Sequence, residues 1–176
     1  AKISKNYGAK IPFFRSKKNS DDYATTTDVL LEVIKEYEKL NINFEIACCI
    51  YPTTPLLTPE KLIEGFNMIC KDEFNVIISS VKYGHPIQRA FSLEKSKKIR
   101  LLDPKNEFKR TQDLTEFYHD AGQFYWFKKE QLKNSKSLLH GNTGSVIIDE
   151  SMIQDIDNLT DWELAELKYR VINNIT

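Results

Sequence analysis

Hydrophobic positions recur first at helical and then at strand spacing along the first half of the chain. Apolar residues three or four positions apart predict a helix over Thr25–Leu40, with one of its first three threonines as the cap. The continuous apolar run Phe44–Ile50 predicts a buried parallel strand. Thr58-Pro59-Glu60 predicts the start of a second helix, and Asn75–Val81 predicts a second buried strand. This order is that of a βαβ unit.

The second half contains shorter hydrophobic runs separated by turn residues. We expect a hairpin formed by Arg89–Leu93 and Lys98–Leu102, strands at Gly122–Phe127 and Ser145–Asp149, and a closing helix at Asp161–Asn173. A βαβ unit followed by extra strands predicts an α/β fold with a mixed sheet. Residues 1–176 suit one domain with a sizeable core.

Composition narrows the function classes. Lys plus Arg equals Asp plus Glu at 25 each, and no basic stripe interleaves with aromatics, which argues against a nucleic-acid partner. No apolar run has membrane-spanning length and no secretory signal is visible, so we expect no membrane partner. Cys48 and Cys49 lie together in an apolar run and are expected to be buried free thiols. That use of cysteine suits a cytoplasmic protein.

Two acidic side chains lie one residue apart just before the closing helix. In an extended segment residues i and i+2 point to the same side, so Asp155 and Asp157 can aim both carboxylates at one point. Adjacent carboxylates repel unless a cation lies between them, and hard divalent ions prefer oxygen ligands. The alternative is that Asp157 or Asn158 only caps the helix.

Other polar residues follow the predicted strands. Tyr51–Leu57 comes directly after the first strand and contains two prolines and two threonines, and ligands of open α/β sheets bind at such strand ends. After the next strand, Arg89 is suited to a carboxylate or phosphate but could equally be a surface charge. Gln123 and its aromatic neighbours could line a sugar-sized pocket or belong to the core. The P-loop, dinucleotide-binding and H-E-x-x-H motifs are all lacking, as is G-x-S-x-G.

Taken together, these segments resemble the CMP-sugar synthetases, the cytidylyltransferases that act on sialic acid, its bacterial relatives and Kdo. The segment Ile50–Leu57 is similar to the family's L-Q-P-T-S-P-L-R, although Tyr51 replaces the usual glutamine. Asp155–Trp162 is similar to the terminal D-I-D-x-x-x-D-[WLF]. The other matching blocks are Ser80–Pro86, Lys109–Leu114 and Tyr118–Tyr125.

The resemblance implies a three-layer, Rossmann-like nucleotidyltransferase fold with a mixed sheet. It also implies transfer of CMP from CTP to a nine-carbon sugar acid, with release of pyrophosphate and Mg²⁺ held by Asp155 and Asp157. Residues implied near the nucleotide are Arg15, Thr26, Tyr51 and Thr53, and those implied near the sugar are Gln88, Arg89, Arg110 and Gln123. Gln88 and Ala121 replace the lysine and asparagine usual in sialic acid enzymes, and their blocks resemble the pseudaminic acid branch.

Two expectations concern regions in which the family is distinctive. The family begins with a strand and a P-A-R-x-G-S-K loop that this sequence lacks, while Ala1–Gly8 has the pattern of a helix end. We therefore expect that the N-terminal part of the domain is missing. Family members form homodimers through an inserted hairpin and helix, which would correspond here to residues 128–142.

Three alternatives stay open from the sequence. The sugar acid could be N-acetylneuraminate, legionaminate or Kdo instead of pseudaminic acid. The chain could be another nucleotidyltransferase that handles UTP or GTP sugars. It could also be an inactive, truncated remnant that acts only as a binding module.

Overall fold

The computed structural model describes residues 1–175 and has an α/β architecture. Its helices are α1 (Lys2–Asn6), α2 (Thr26–Lys39), α3 (Pro59–Cys70), α4 (Lys129–Ser135) and α5 (Leu159–Ile172). Its strands are β1 (Ile46–Ile50), β2 (Val76–Lys82), β3 (Phe91–Leu93), β4 (Ile99–Leu101), β5 (Tyr118–Lys128) and β6 (Thr143–Ile147). Each helix and strand predicted from the sequence is present. Within residues 1–175, no helix combines the length and the apolar character needed to cross a bilayer.

Four strands form one sheet in the order β1-β5-β2-β6, and β3 pairs with β4 in a separate antiparallel hairpin. Strand β5 is antiparallel to β1. The backbone N–H of Tyr51 donates to the carbonyl of Gln123 and that of Lys129 donates to the carbonyl of Glu45, so one strand advances as the other goes back. Strand β6 is parallel to β2, since Ser80 accepts a backbone bond from Ile148 and Asn75 donates one to Asn142. The predicted mixed sheet is confirmed.

The prediction of β1 as a buried parallel strand is wrong. Its residues Ile46–Cys49 are half-buried and Ile50 is exposed, because β1 is an edge strand of the sheet formed by the described residues. Its hydrogen-bonded neighbour is the antiparallel β5, which separates β1 from β2. A continuous apolar run indicates burial but carries no information about which strand will lie beside it.

Helix ends follow the local chemistry of their first residues. The Thr25 hydroxyl accepts the N–H of Asp28 and so caps α2. Asn158 caps α5 in a reciprocal capping box with Asp161, and α5 begins two residues earlier than predicted. Two large apolar residues of α3 are not buried: Ile63 and Phe66 are 57% and 43% exposed.

The chain divides into two compact units, each with its own core. The first unit comprises residues 1–49, 66–77 and 125–144, and the second comprises residues 50–65, 78–124 and those from 145 onward. The first core consists mainly of Leu30, Ile34, Ile69, Val76, Ile77, Tyr125, Phe127, Leu132 and Leu138. The second consists mainly of Leu56, Val81, Phe124, Val146, Ile148 and Ala165. Buried polar side chains also occur in the second unit, and they define the site described below.

The segment predicted to mediate dimerisation begins with α4. Leu132 and Leu138 are buried against the first unit, whereas Leu139 is 63% exposed. Lys129 is also buried, and its ammonium pairs with Glu38 at 3.7 Å. The role of residues 128–142 in a homodimer stays a prediction.

Candidate active site

Gln123 connects three of the sequence motifs within the second unit. Its backbone carbonyl accepts the N–H of Tyr51, the first residue of the loop after β1, at 3.0 Å. Its backbone N–H donates to the Ser79 hydroxyl of β2 at 3.1 Å. Its side-chain amide donates to the carbonyl of Met152 at 2.7 Å, three residues before Asp155. With 3% of its surface exposed, Gln123 therefore holds the motifs together from within the core.

A bulge in β5 produces this arrangement. The fully buried hydroxyl of Ser79 accepts two successive N–H groups of β5, from Gln123 and from Phe124 at 3.2 Å. The backbone bonds also show extra residues in β5: between Tyr83 N–H to Phe117 and Lys128 N–H to Asn75, β5 advances eleven residues while β2 advances eight, which is the excess that a β-bulge produces. The preceding Gly122 has φ +62°, a left-handed conformation that favours glycine.

Asp155 and Asp157 are both exposed, while Ile156 between them is half-buried. This alternation agrees with an extended segment in which both aspartates share the outer side. Helix capping is performed by Asn158 and Asp161, so the Asp157 carboxylate is not the cap. Within residues 1–175, neither the Asp155 nor the Asp157 carboxylate takes part in a hydrogen bond or ion pair. Both are therefore available to a ligand.

The aspartate segment lies beside the loop that follows β1. Ile156 and Pro55 line one apolar cavity of about 400 Å³, together with Trp162 and Tyr169 of α5. From α5, the Lys168 ammonium donates to the carbonyl of Ile153 at 2.6 Å and to that of Glu150 at 3.3 Å. Lys168 and Gln123 thus hold three carbonyls of residues 150–153, directly upstream of the aspartates.

A second cavity, of about 430 Å³, lies between residues 82–87 after β2 and residues 111–117 before β5. Its lining includes Lys82 and Glu116, which form an ion pair, and Glu116 also accepts the Tyr118 hydroxyl at 2.9 Å. The hydrogen bond from Lys82 lowers the pKa of Glu116, and the same bond raises the pKa of Lys82. Both groups therefore stay charged at neutral pH.

Gln88 and Arg89 connect the two segments that line this second cavity. The Gln88 amide donates to the carbonyl of Thr115 at 2.7 Å, and the Arg89 guanidinium donates to the Thr111 hydroxyl at 3.4 Å. Within the described residues, the Gln88 carbonyl oxygen and the Arg89 Nε are buried without a hydrogen-bond partner. Buried polar atoms without partners are unfavourable and rare. Gln88 and Arg89 follow Ile87 of the cavity lining directly in sequence, but neither side chain lines the cavity itself.

The remaining predicted site residues are Arg110, Thr53, Arg15 and Thr26. Arg110 is exposed and forms a bidentate pair with Asp113, at 2.7 Å and 3.0 Å, which raises the pKa of the guanidinium. Thr53 is exposed in the loop after β1. Arg15 and Thr26 belong to the first unit. There the segment after Arg15 is tied to α2, because the Ser16 hydroxyl donates to Glu32 at 2.8 Å.

Sequence reasoning missed Ser79, Lys168 and the pair of Lys82 with Glu116. Ser79 gave a usable signal, since a serine inside an otherwise apolar strand must find a partner when it is buried. Lys168 gave none, because a lysine on a helix usually lies in solvent. Cys48 and Cys49 are free thiols as expected, but both are half-buried instead of buried. Their partial burial is still enough to raise the pKa of the Cys48 thiol to about 12.

Known proteins resemble this chain both in fold and in sequence. No family model matches the chain. A solved structure of CMP:2-keto-3-deoxy-manno-octonic acid synthetase complexed with CTP superimposes with a TM-score of 0.61 at 12% identity. The match covers 98% of this chain and 76% of that one. The fold is therefore that of the nucleotidyltransferases, which confirms the predicted α/β class.

The sequence comparison is more specific. Pseudaminic acid cytidylyltransferase of Campylobacter jejuni is 32% identical over 169 residues, covering 96% of this chain and 73% of the relative. N-acylneuraminate cytidylyltransferase of Oncorhynchus mykiss is 29% identical over 94% of this chain and 37% of the relative. CMP-N,N'-diacetyllegionaminic acid synthase of Legionella pneumophila is 24% identical over 94% of this chain and 72% of the relative. The chain belongs to this family of sugar-acid cytidylyltransferases.

Proposed function

We propose that this protein transfers CMP from CTP to a nonulosonic acid, with pseudaminic acid as the first candidate, and releases pyrophosphate. The observation that carries the proposal is the convergence at Gln123. Its three hydrogen bonds bring the loop that begins at Tyr51, strand β2 and the segment of Asp155 to one place. The 32% identity to a pseudaminic acid cytidylyltransferase supports the choice of sugar acid.

The residues present fit a magnesium ion. Asp155 and Asp157 are exposed, share the outer side of an extended segment and lack protein partners within residues 1–175. The described residues contain no cluster of three or more His, Cys, Asp and Glu side chains that could hold a metal. Mg²⁺ is commonly held by one or two carboxylates together with substrate phosphates and water. When bound, it would supply charge neutralisation on the phosphate oxygens.

The protein's own contribution would be positioning. Gln123 and Lys168 fix the carbonyls of residues 150–153 and so restrict where Asp155 and Asp157 can point. A fixed geometry at the reacting groups lowers the entropic part of the barrier, because the groups need not be ordered during the reaction. The Tyr51–Leu57 loop, which is close enough to share a cavity with Ile156, would receive the nucleotide.

The cavity of residues 82–87 and 111–117 is the proposed site of the sugar acid. Its volume of about 430 Å³ suits a small molecule, and its lining combines polar and apolar residues. Gln88 and Arg89 would supply their unpartnered atoms to the sugar, given a small rearrangement of the side chains. In its present pair with Asp113, the Arg110 guanidinium would reach the sugar only after that pair opens.

The test is the Mg²⁺ dependence of pyrophosphate release from CTP and pseudaminic acid in the full-length protein. Asp155→Asn and Asp157→Asn should each lower kcat by about a hundredfold or more, because each removes a charged ligand. Their melting temperatures should match that of the unsubstituted protein, because both side chains are exposed. Asp22→Asn, at an exposed position in the first unit, is the matched control and should keep full activity. Near-normal kcat in both aspartate variants would contradict the metal role.

The sugar specificity needs its own comparison. The unsubstituted protein is assayed with pseudaminic, legionaminic and N-acetylneuraminic acids and with Kdo, and kcat/KM is compared across them. We expect the highest value for pseudaminic acid. A higher value for another acid would reassign the substrate, and the absence of turnover with every acid would favour the binding-module alternative.

A further inference from the structure

Lys82 and Glu116 form an ion pair in the lining of the proposed sugar-acid cavity. The Lys82 ammonium, at the end of β2, donates to Oε1 of Glu116. The Tyr118 hydroxyl, at the start of β5, donates to Oε2 of the same carboxylate at 2.9 Å. The backbone N–H of Tyr83 donates to the carbonyl of Phe117 at 2.9 Å and joins the two segments beside the pair. The Glu116 carboxylate is therefore held in place from two strands.

This ion pair keeps hydrogen-bonding capacity that its own contacts do not use. An ammonium has more than one N–H donor, and each carboxylate oxygen can accept more than one hydrogen bond. The contacts with each other and with Tyr118 leave donors on Lys82 and lone pairs on Glu116 available. The two side chains are 53% and 56% exposed, so a ligand in the cavity can reach both. The pair therefore offers a donor and an acceptor side by side.

The charges at this cavity do not favour the carboxylate of a sugar acid. Among the described residues, Lys82 is the one lysine or arginine in the lining, and Glu116 already neutralises it. The Glu150 carboxylate adds negative charge, because its oxygens lie 3.6 Å and 3.7 Å from the position that a Cβ would take on Gly84 of the lining. Like charges at short range repel each other, so a neutral polar part of the sugar fits here better than its acid group.

Adjacent polar substituents on a sugar match such a pair in spacing and in chemistry. Two neighbouring hydroxyls, or a hydroxyl beside an amide, carry polar atoms that lie roughly 3 Å apart, as do the two atoms of a hydrogen-bonded ion pair. One substituent can then donate to the carboxylate while its neighbour accepts from the ammonium. Hydrogen bonds to charged groups are stronger than those between neutral groups. The pair can therefore distinguish a sugar acid that has both substituents from one that lacks either.

We propose that Lys82 and Glu116 are specificity-determining residues that bind two adjacent polar substituents of the sugar acid. Glu116 accepts the O–H or N–H of one substituent, and Lys82 donates to the hydroxyl oxygen of the other. Tyr118 is a positioning residue, because it holds the carboxylate through its second oxygen. This inference rests on the proposed function, since it needs a sugar acid in this cavity.

Isothermal titration calorimetry of the full-length protein in the presence of CTP and EDTA measures sugar binding without turnover. The ligands are pseudaminic acid and analogues that each lack one of its non-anomeric hydroxyls. In the unsubstituted protein, at least one analogue should bind about tenfold more weakly or worse, because a hydrogen bond to a charged group is lost. Lys82→Met and Glu116→Ala should each weaken binding of pseudaminic acid about tenfold and reduce the effect of the missing hydroxyl to within about threefold.

The exposed ion pair of Lys61 with Glu64 on α3 supplies the matched control. Glu64→Ala removes an ion pair of the same kind outside the cavity lining and should leave every dissociation constant unchanged. Circular dichroism should show all variants folded, since exposed ion pairs contribute little to stability.

Two results would overturn the proposal. One is equal binding of pseudaminic acid and all its analogues to the unsubstituted protein. The other is a loss from the missing hydroxyl that stays the same in Lys82→Met and Glu116→Ala, because the hydroxyl is then recognised elsewhere. Binding as expected, but without pyrophosphate release once Mg²⁺ is added, would contradict only the proposed reaction.

Discussion

Ser79→Ala is the sharpest test of how the site is held together. The Ser79 side chain is fully buried, and its oxygen accepts the N–H groups of Gln123 and Phe124 at 3.1 Å and 3.2 Å. Alanine fits the same space but removes the hydroxyl acceptor from both buried donors.

The size of the effect follows from these two bonds. A buried donor left unsatisfied costs about 1–3 kcal/mol, so the pair should lower the free energy of unfolding by up to about 2–6 kcal/mol. The neighbouring Ser80→Ala is the matched control: Ser80 is 5% exposed, and its hydroxyl forms no hydrogen bond with the described residues. Its loss should change the free energy of unfolding by less than about 1 kcal/mol.

Urea unfolding followed by circular dichroism measures both values. The midpoint should fall for Ser79→Ala while the slope with denaturant stays the same, since the surface exposed on unfolding is unchanged. In the pyrophosphate assay, Ser79→Ala should also need more Mg²⁺ for half-maximal activity, because Gln123 no longer holds Met152 in place. A loss below about 1 kcal/mol, or one equal to that of Ser80→Ala, would refute the reasoning.

Three further predictions concern other contacts. Lys168→Met should weaken Mg²⁺ activation by about 10–100-fold while changing the CTP KM little, because the Lys168 ammonium holds the Ile153 carbonyl upstream of the aspartates. Lys168→Arg should restore part of the Mg²⁺ activation. Gly144→Ala should cost about 1–3 kcal/mol in thermal denaturation, as its Cβ would lie 2.8 Å from the side chain of Ile77. The hydrogen bonds from Ser16 lower the pKa of Glu32 below its usual 4.5. The Ser16–Glu32 contact is therefore complete above pH 4.5 and is lost as the pH falls through the lowered pKa. Glu32→Gln should weaken this contact at neutral pH and so speed tryptic cleavage after Lys17.

The sequence by itself determined the order of the elements. Helical spacing located α2, and Thr25 with Asp28 contained the cap within four residues. The apolar run of β2 and the charged turn of the β3–β4 hairpin were equally local signals. Spacing also identified Asp155 and Asp157 as a pair on one side of the chain. All of these depend on neighbours in sequence, where periodicity and capping chemistry act directly.

Only the tertiary structure decided which elements lie together. The insertion of β5 between β1 and β2 gave β1 an antiparallel neighbour instead of the expected parallel one. The fold also placed the side-chain amide of Gln123, predicted to face the sugar, on the Met152 carbonyl. The bulge at Ser79 and the bonds from Lys168 to residues 150 and 153 join positions that are 15 to 44 residues apart. A hydrogen bond across such a distance depends on the packing of whole elements. No local pattern of residues encodes it.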